Sequence, residues 1–432
     1  MIGAGIFGAT GGFAHELGTD FNVLLVWLFC GLLALTGALS LGELGSMLPK
    51  SGGCYAYNRH IYGETAGYLS GVLSWLLAFV GALAYITLLL GYHIQQFVPN
   101  LPPAASASIA VTILTAIHCF GFREGNWINN AFTIFKVGVI LSFIVAGFYV
   151  PSQAELNTSV NFSGIISAPF ASAMISASFA YLGWETATWI AGDLRDPQKT
   201  LPRSLIAGTA FVTCLYLLLN IVFLRAQSVT SMDGSIDGIG LHAAKLLFSG
   251  NVSVWFNCMI IVVLVSSTST ILMVGARFLA IMAQEGNLPN ILARTSKRAS
   301  PIIALLVQAI FTIAFAVFTA ALGNAGNSNE TTEAHNYADN ILVLIGMPTT
   351  IIMGAAVAGV VILRGRESNT ARPFKVPFYP LPPILFLGIS VWMLIGTLQY
   401  KWQASLGSVA LVIAAWLLKP VLRGRVAKEN LS

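Results

Sequence analysis

Phe179-Ala180-Tyr181-Leu182-Gly183-Trp184-Glu185 stands inside an apolar run from 169 to 192. Glycine costs about 1 kcal/mol against alanine inside a helix, so this run reads as an interrupted helix. A second interruption, Gly3-Ala4-Gly5, opens the chain. Backbone polar groups in lipid must be satisfied internally, so a break at membrane depth is tolerated only where it faces protein or a water-filled cavity. The two stretches therefore mark where a polar site belongs.

The surrounding sequence supplies the membrane setting. Of 432 residues, 56% are hydrophobic and 9% charged, whereas soluble domains carry roughly 25% charged residues. Apolar runs of about 20 residues fall at 22–48, 66–98, 104–120, 128–150, 169–192, 203–224, 252–283, 302–322, 339–363, 382–399 and 404–420. With the opening segment they predict twelve spans, the first truncated. The run 66–98 exceeds what a bilayer needs and predicts a tilted helix. Alternate loops differ in basic residues: Lys50, Arg59, Arg123, Arg195, Lys199 and Arg203 and the clusters at 294–298, 364–375 and 419–428 fall on one side, with only Arg225, Lys245 and Lys401 on the other. That asymmetry predicts a plasma (cytoplasmic) membrane protein with its C-terminus inside.

The net charge of +5 is this same bias, and it calls for no nucleic-acid partner. Five scattered cysteines and six histidines without metal-ligand spacing predict neither a disulfide framework nor a metal site, and no cofactor is expected. No nucleophile–base pair stands at membrane depth, so an enzyme is not expected. A glycine-interrupted span at the start of each of two five-helix halves, helices 1–5 and 6–10, is the signature of an inverted-repeat transporter with its site near the midplane. The fold class is thus an all-α polytopic membrane protein. Residues 1–363 form the transporter core, and 364–432 hold an inner loop, helices 11 and 12 and a short tail.

Four blocks occur in order: Gly3-Ala4-Gly5-Ile6-Phe7; Gly42-Glu43-Leu44-Gly45-Ser46-Met47-Leu48-Pro49-Lys50-Ser51-Gly52-Gly53-Cys54-Tyr55-Ala56-Tyr57; the sixth-span break followed by Ala191–Arg203; and Arg372-Pro373-Phe374-Lys375-Val376-Pro377-Phe378-Tyr379-Pro380. In them the chain resembles the amino acid–polyamine–organocation superfamily, the amino-acid permeases, over essentially its whole length, closest to the light-subunit-like and cationic branches. The resemblance implies a five-plus-five inverted-repeat core with two further C-terminal helices. It also implies sodium-independent secondary transport of amino acids by alternating access, through proton symport or exchange. A first half-helix precedes the glycine motif in that family, whereas Met1 stands almost directly before it here, so a late start is expected.

An amino-acid zwitterion needs donors for its carboxylate and acceptors for its ammonium. Unwound helices supply both from the backbone. By the resemblance, Ile2, Gly3, Ala4, Gly5 and Ile6 would donate N–H groups, and Phe179, Ala180 and Leu182 would offer carbonyls, with Phe179 as an aromatic gate. Close packing through small residues is the competing reading of the glycines. Lys136 lies well within the fifth span, where an ionisable residue marks function by default. By the resemblance its ammonium stands in for a sodium ion, with acceptors around Ser266, Ser267 and Thr268. Its competing reading is a lysine snorkelling to the inner interface.

Glu43 and Glu185 are the intramembrane acids. Glu43 reads as a structural hydrogen-bonding group. Glu185, six residues after Phe179, has three roles open to it: meeting a cationic side chain as in amino-acid/polyamine antiporters, relaying a proton, or locking helix 6. A membrane sensor that binds an amino acid without moving it is the alternative of another class, and no partner subunit is legible.

Overall fold

The computed structural model describes residues 5–120, 125–154, 159, 162–189, 191–229, 239–248, 251–296, 300–325 and 331–422. Among them the regular structure is helical. The first half runs α1 (Gly5–Leu17), α2 (Asp20–Met47), α3 (Gly53–Tyr62), α4 (Glu64–Leu73), α5 (Ala82–Gln95), α6 (Pro103–Cys119) and α7 (Gly125–Tyr149). The second runs α8 (Phe162–Ile165), α9 (Ala168–Tyr181), α10 (Thr186–Trp189), α11 (Pro197–Ala226), α12 (Ile239–Leu247), α13 (Asn251–Gln284), α14 (Ile302–Ala325) and α15 (Thr331–Arg366), followed by α16 (Leu381–Tyr400) and α17 (Trp402–Leu422). Nine helical stretches among the described residues are long and apolar enough to cross a membrane, and α6 is a shorter apolar helix. Each of the eleven expected runs falls on a helix, and the run 169–192 is divided between α9 and α10.

The ends follow local chemistry. Thr19, extended at φ −137°, accepts a bond from the Asn22 N–H at 3.3 Å, and Asp20 in the first turn of α2 adds negative charge at the positive end of the helix dipole. Ser167 caps α9 in the same way, accepting from the Phe170 N–H. The seventh span begins at Pro197 and not at 203, because a proline in the first helical position forfeits no intrahelical bond. The run 66–98 is not the uniform tilted helix expected: Ser74–Gly81 between α4 and α5 is π-helical, a distortion often found at functional sites. In α15, Pro348 has no N–H for the carbonyl of Leu344, and that oxygen instead accepts a bond from Ser408 of α17 at 3.3 Å.

The divided α9 lies centrally, packed against α1, α2, α15 and α16, while α11 runs along α2. On the basic side the α2–α3 turn docks under the break. The Gly52 N–H donates to the Trp189 carbonyl at 3.2 Å, and the Gly192 N–H donates to Ser51 Oγ at 3.1 Å. Gly53 sits at φ +54°, and a Cβ there would meet Trp189 at 2.0 Å. Both constraints demand glycine.

Glu43 has the structural role expected of it, with partners far away in sequence. Its carboxylate, 2% exposed, receives Arg364 in a two-pronged contact (2.9 and 2.5 Å), Arg372 Nε at 3.3 Å and the Val376 N–H at 2.7 Å. The block around Arg372-Pro373-Phe374 is thus clasped to the end of α2, with Arg364 lying 3.7 Å over the Tyr379 ring. A second polar cluster ties α3 to the end of α13. Tyr55 donates to Glu285, Arg59 Nη1 lies 2.6 Å from the same carboxylate, and Asn287 Nδ2 donates to Tyr55 Oη at 2.6 Å.

Candidate functional site

The sixth span opens at four residues. After Tyr181, Leu182 turns to φ −49°, ψ 138°, and Gly183 takes φ +99°, a conformation open to glycine and unfavourable for L side chains. Two turns bridge the gap: the Trp184 N–H bonds the Tyr181 carbonyl and the Thr186 N–H bonds the Gly183 carbonyl, before α10 begins. The break therefore lies over 182–185, somewhat later than expected. Phe179 and Ala180 remain helical, and their carbonyls are engaged. The Phe179 oxygen accepts from the Leu182 N–H at 3.1 Å, and the Ala180 oxygen accepts from Tyr216 Oη at 3.0 Å.

A cavity of about 470 Å³ opens at this break, within the usual range of roughly 300–1,000 Å³ for ligand pockets. Its wall brings together Gly5, Phe179, Ala180, Leu182, Gly183, Glu185, Lys136 and Ser267. Residues of α1, α7, α9 and α13, far apart in sequence, thus meet at one place. Ile2, Gly3 and Ala4 lie outside the described residues. Gly5 and Ile6 belong to the first turn of α1, where N–H groups have no intrahelical acceptor. Ile6 is fully buried. Gly5 also satisfies the packing reading, since a Cβ there would fall 2.7 Å from Ala180 Cα. Close approach of α1 to α9 and exposure of backbone to the cavity are served by the same missing side chain.

Lys136 is 7% exposed, and its Nζ donates to Ser267 Oγ at 3.2 Å. The snorkelling geometry is thereby replaced by a buried one. Ser267 in turn donates to the Val263 carbonyl at 2.8 Å. Its two neighbours do not meet the lysine: Thr268 Oγ1 bonds back to the Leu264 carbonyl, and Ser266, also buried, does not border the cavity. At 100° per residue only one of three consecutive side chains can face a given point.

Glu185, 2% exposed, accepts the Gly183 N–H at 3.2 Å and stays within its own turn while bordering the cavity. Phe179 packs edge-on against Tyr85 with centroids 5.1 Å apart. Toward the α3 side, Phe79 and Trp189 border the same cavity with centroids 4.4 Å apart, and Trp189 stacks on Phe278 at 5.6 Å. Trp184 points away, to Phe386 and to Gly37 of α2, as a packing residue.

Three bordering or supporting residues have no local signature. Phe79 belongs to the π-helical stretch and Trp189 to α10, and Tyr216 lies in an unbroken apolar run. Only the spacing of Trp189, four residues after Glu185 and hence on the same helical side, hinted at its place.

Comparison with known proteins adds an independent line. The chain is 30% identical to the large neutral amino acids transporter small subunit 2 of Mus musculus over 414 residues, covering 92% of this chain and 73% of the relative. It is 29% identical to the serine/threonine exchanger SteT of Bacillus subtilis over 408 residues, covering 92% and 88%. With the b(0,+)-type amino acid transporter 1 of Mus musculus it shares 25% over 411 residues, covering 91% and 79%. The model of the amino acid permease family matches residues 1–416, and this chain belongs to that family.

Proposed function

We propose that this chain is a sodium-independent amino-acid exchanger of the plasma membrane, working by alternating access with its C-terminus inside. The observation that carries the reading is the cavity bordered jointly by Gly5, the break at 182–185 and the Lys136–Ser267 pair. The zwitterion's carboxylate lies toward the first turn of α1, with its N–H groups and positive dipole end. Its ammonium lies toward the carbonyl-rich break after α9. Lys136 supplies from α7 a fixed positive charge beside α13, where a bound sodium ion would otherwise serve. The amino acid passes unchanged, with residues 1–363 as the moving core and 364–432 as an appended part clasped to it through Glu43.

The relatives support transport and exchange, being named as an amino-acid transporter small subunit and as an exchanger. The test is counterflow of labelled amino acids in proteoliposomes, with and without sodium and with and without a proton gradient. Counterflow that is equal in sodium and choline buffers is expected. Uptake that requires sodium would overturn the coupling, and absence of uptake, exchange or binding for every amino acid would overturn the function. One feature favours a second reading, an amino-acid/polyamine antiporter: Glu185 is a buried carboxylate in the cavity wall. Competition by arginine and polyamines that Glu185→Gln removes would favour it over neutral exchange.

A further inference from the structure

Behind Phe179 lies a second, smaller cavity of about 40 Å³, between α2, α9, α15 and α16. Phe179 and Leu182 border both cavities and so form the wall between them. We infer that this small cavity is the side-chain subsite of the permease, and that it selects short, neutral side chains carrying a hydroxyl group. The inference rests on the amino-acid reading above and adds the substrate class to it.

The argument is one of volume and of hydrogen-bond direction. A water molecule needs roughly 10–15 Å³ on the same measure, so the space takes two or three non-hydrogen atoms, the size of a hydroxymethyl or hydroxyethyl group. Three hydroxyl groups border it, from Ser178, Thr349 and Thr350. Each has its hydrogen committed elsewhere. Thr349 donates to the Ile345 carbonyl at 2.7 Å, Thr350 to the Gly346 carbonyl at 2.8 Å, and Ser178 to Cys30 Sγ at 3.6 Å. The Cys30 thiol donates onward to the Met174 carbonyl at 3.4 Å. What these hydroxyls present to the cavity is therefore lone pairs.

A side chain ending in O–H completes such a site. A methyl group of the same size leaves the oxygens without a donor, and a carboxylate sets negative charge against them. Long side chains exceed the space. The route is short, because only Phe179 and Leu182 stand between the break and the hydroxyls.

Serine and 2-aminobutyrate have the same number of non-hydrogen atoms and differ in the terminal group, so their ratio reads the subsite directly. In proteoliposomes, serine should outcompete 2-aminobutyrate for labelled-substrate exchange by about tenfold, the value of one buried hydrogen bond, and aspartate should compete least. Thr349→Val with Thr350→Val should bring that ratio close to one, and the pair of Thr→Ser substitutions should restore it. A wild-type ratio near one, or a ratio that survives the valine pair, would overturn the subsite. The wild-type ratio decides the matter even if the valine pair fails to fold. Exchange of 2-aminobutyrate and serine at equal rates would leave the permease reading standing, whereas failure of all amino acids would remove that reading itself.

Discussion

At the scale of single residues the decisive group is Lys136. A charged side chain at membrane depth costs several kcal/mol, and a hydroxyl acceptor 3.2 Å away in a cavity wall is the setting in which that cost is tolerated. Replacing Lys136 by alanine removes the fixed charge between α7 and α13. Exchange should then fall at least tenfold in sodium-free buffer, with sodium restoring part of it. Unchanged exchange in choline buffer would show that the lysine has no such role. Ser267→Ala removes one charge-assisted bond, worth roughly 1.5–3 kcal/mol, and should weaken exchange less than the lysine change does.

At the scale of elements the function depends on two helix starts and one helix break. Gly183 at φ +99° is the hinge of the break. Gly183→Ala places a Cβ in a conformation that costs on the order of 1–2 kcal/mol, so it should lower the melting temperature in detergent and reduce exchange. A melting curve identical to wild type would mean the turn adopts another shape. Gly5→Val is a different case, because the added side chain strikes Ala180 and not solvent. Overpacking of this kind costs typically about 1–3 kcal/mol. It should separate α1 from α9 and abolish substrate binding by isothermal titration, and retained affinity would show that the close approach is dispensable.

At the scale of the whole molecule, two polar clusters on the basic side join distant segments. Removing one partner of a buried ion pair leaves the other uncompensated. Glu43→Gln should therefore lower the unfolding free energy by on the order of 3 kcal/mol, measured by denaturant titration in detergent, since it strands both Arg364 and Arg372. An unaltered midpoint would show that the backbone clasp at Val376 suffices. In the α3 cluster, burial and then the Glu285 carboxylate push the Tyr55 phenol upward from its ordinary value, so it stays a donor to that carboxylate. A raised folded-state value means that this contribution is complete below the unfolded phenol's value of about 10 and is lost as pH rises through the folded one. The stability of wild type relative to Tyr55→Phe should shrink as pH climbs above about 10, and a constant difference would sever Tyr55 from the cluster.

The extent to which the fold was legible in the sequence follows from what fixes each feature. Span number and order are set by the solvent: twenty apolar residues cross a bilayer whatever their neighbours are. The break at Gly183 and the buried charge of Lys136 announce themselves because lipid makes both expensive. Other features have no local cause. That Ser267 and not Ser266 or Thr268 meets Lys136 depends on the rotation of α13. That Tyr216 takes the Ala180 carbonyl, that Arg364 and Arg372 share Glu43, and that Thr349 and Thr350 turn lone pairs toward Ser178 all depend on how helices hundreds of residues apart come together. The sequence by itself determined a multi-span helical permease with an interrupted sixth helix, because hydropathy and glycine act locally. Only the tertiary structure decided which groups border the cavity, because that is settled by packing between helices, where facing direction and distance are properties of pairs.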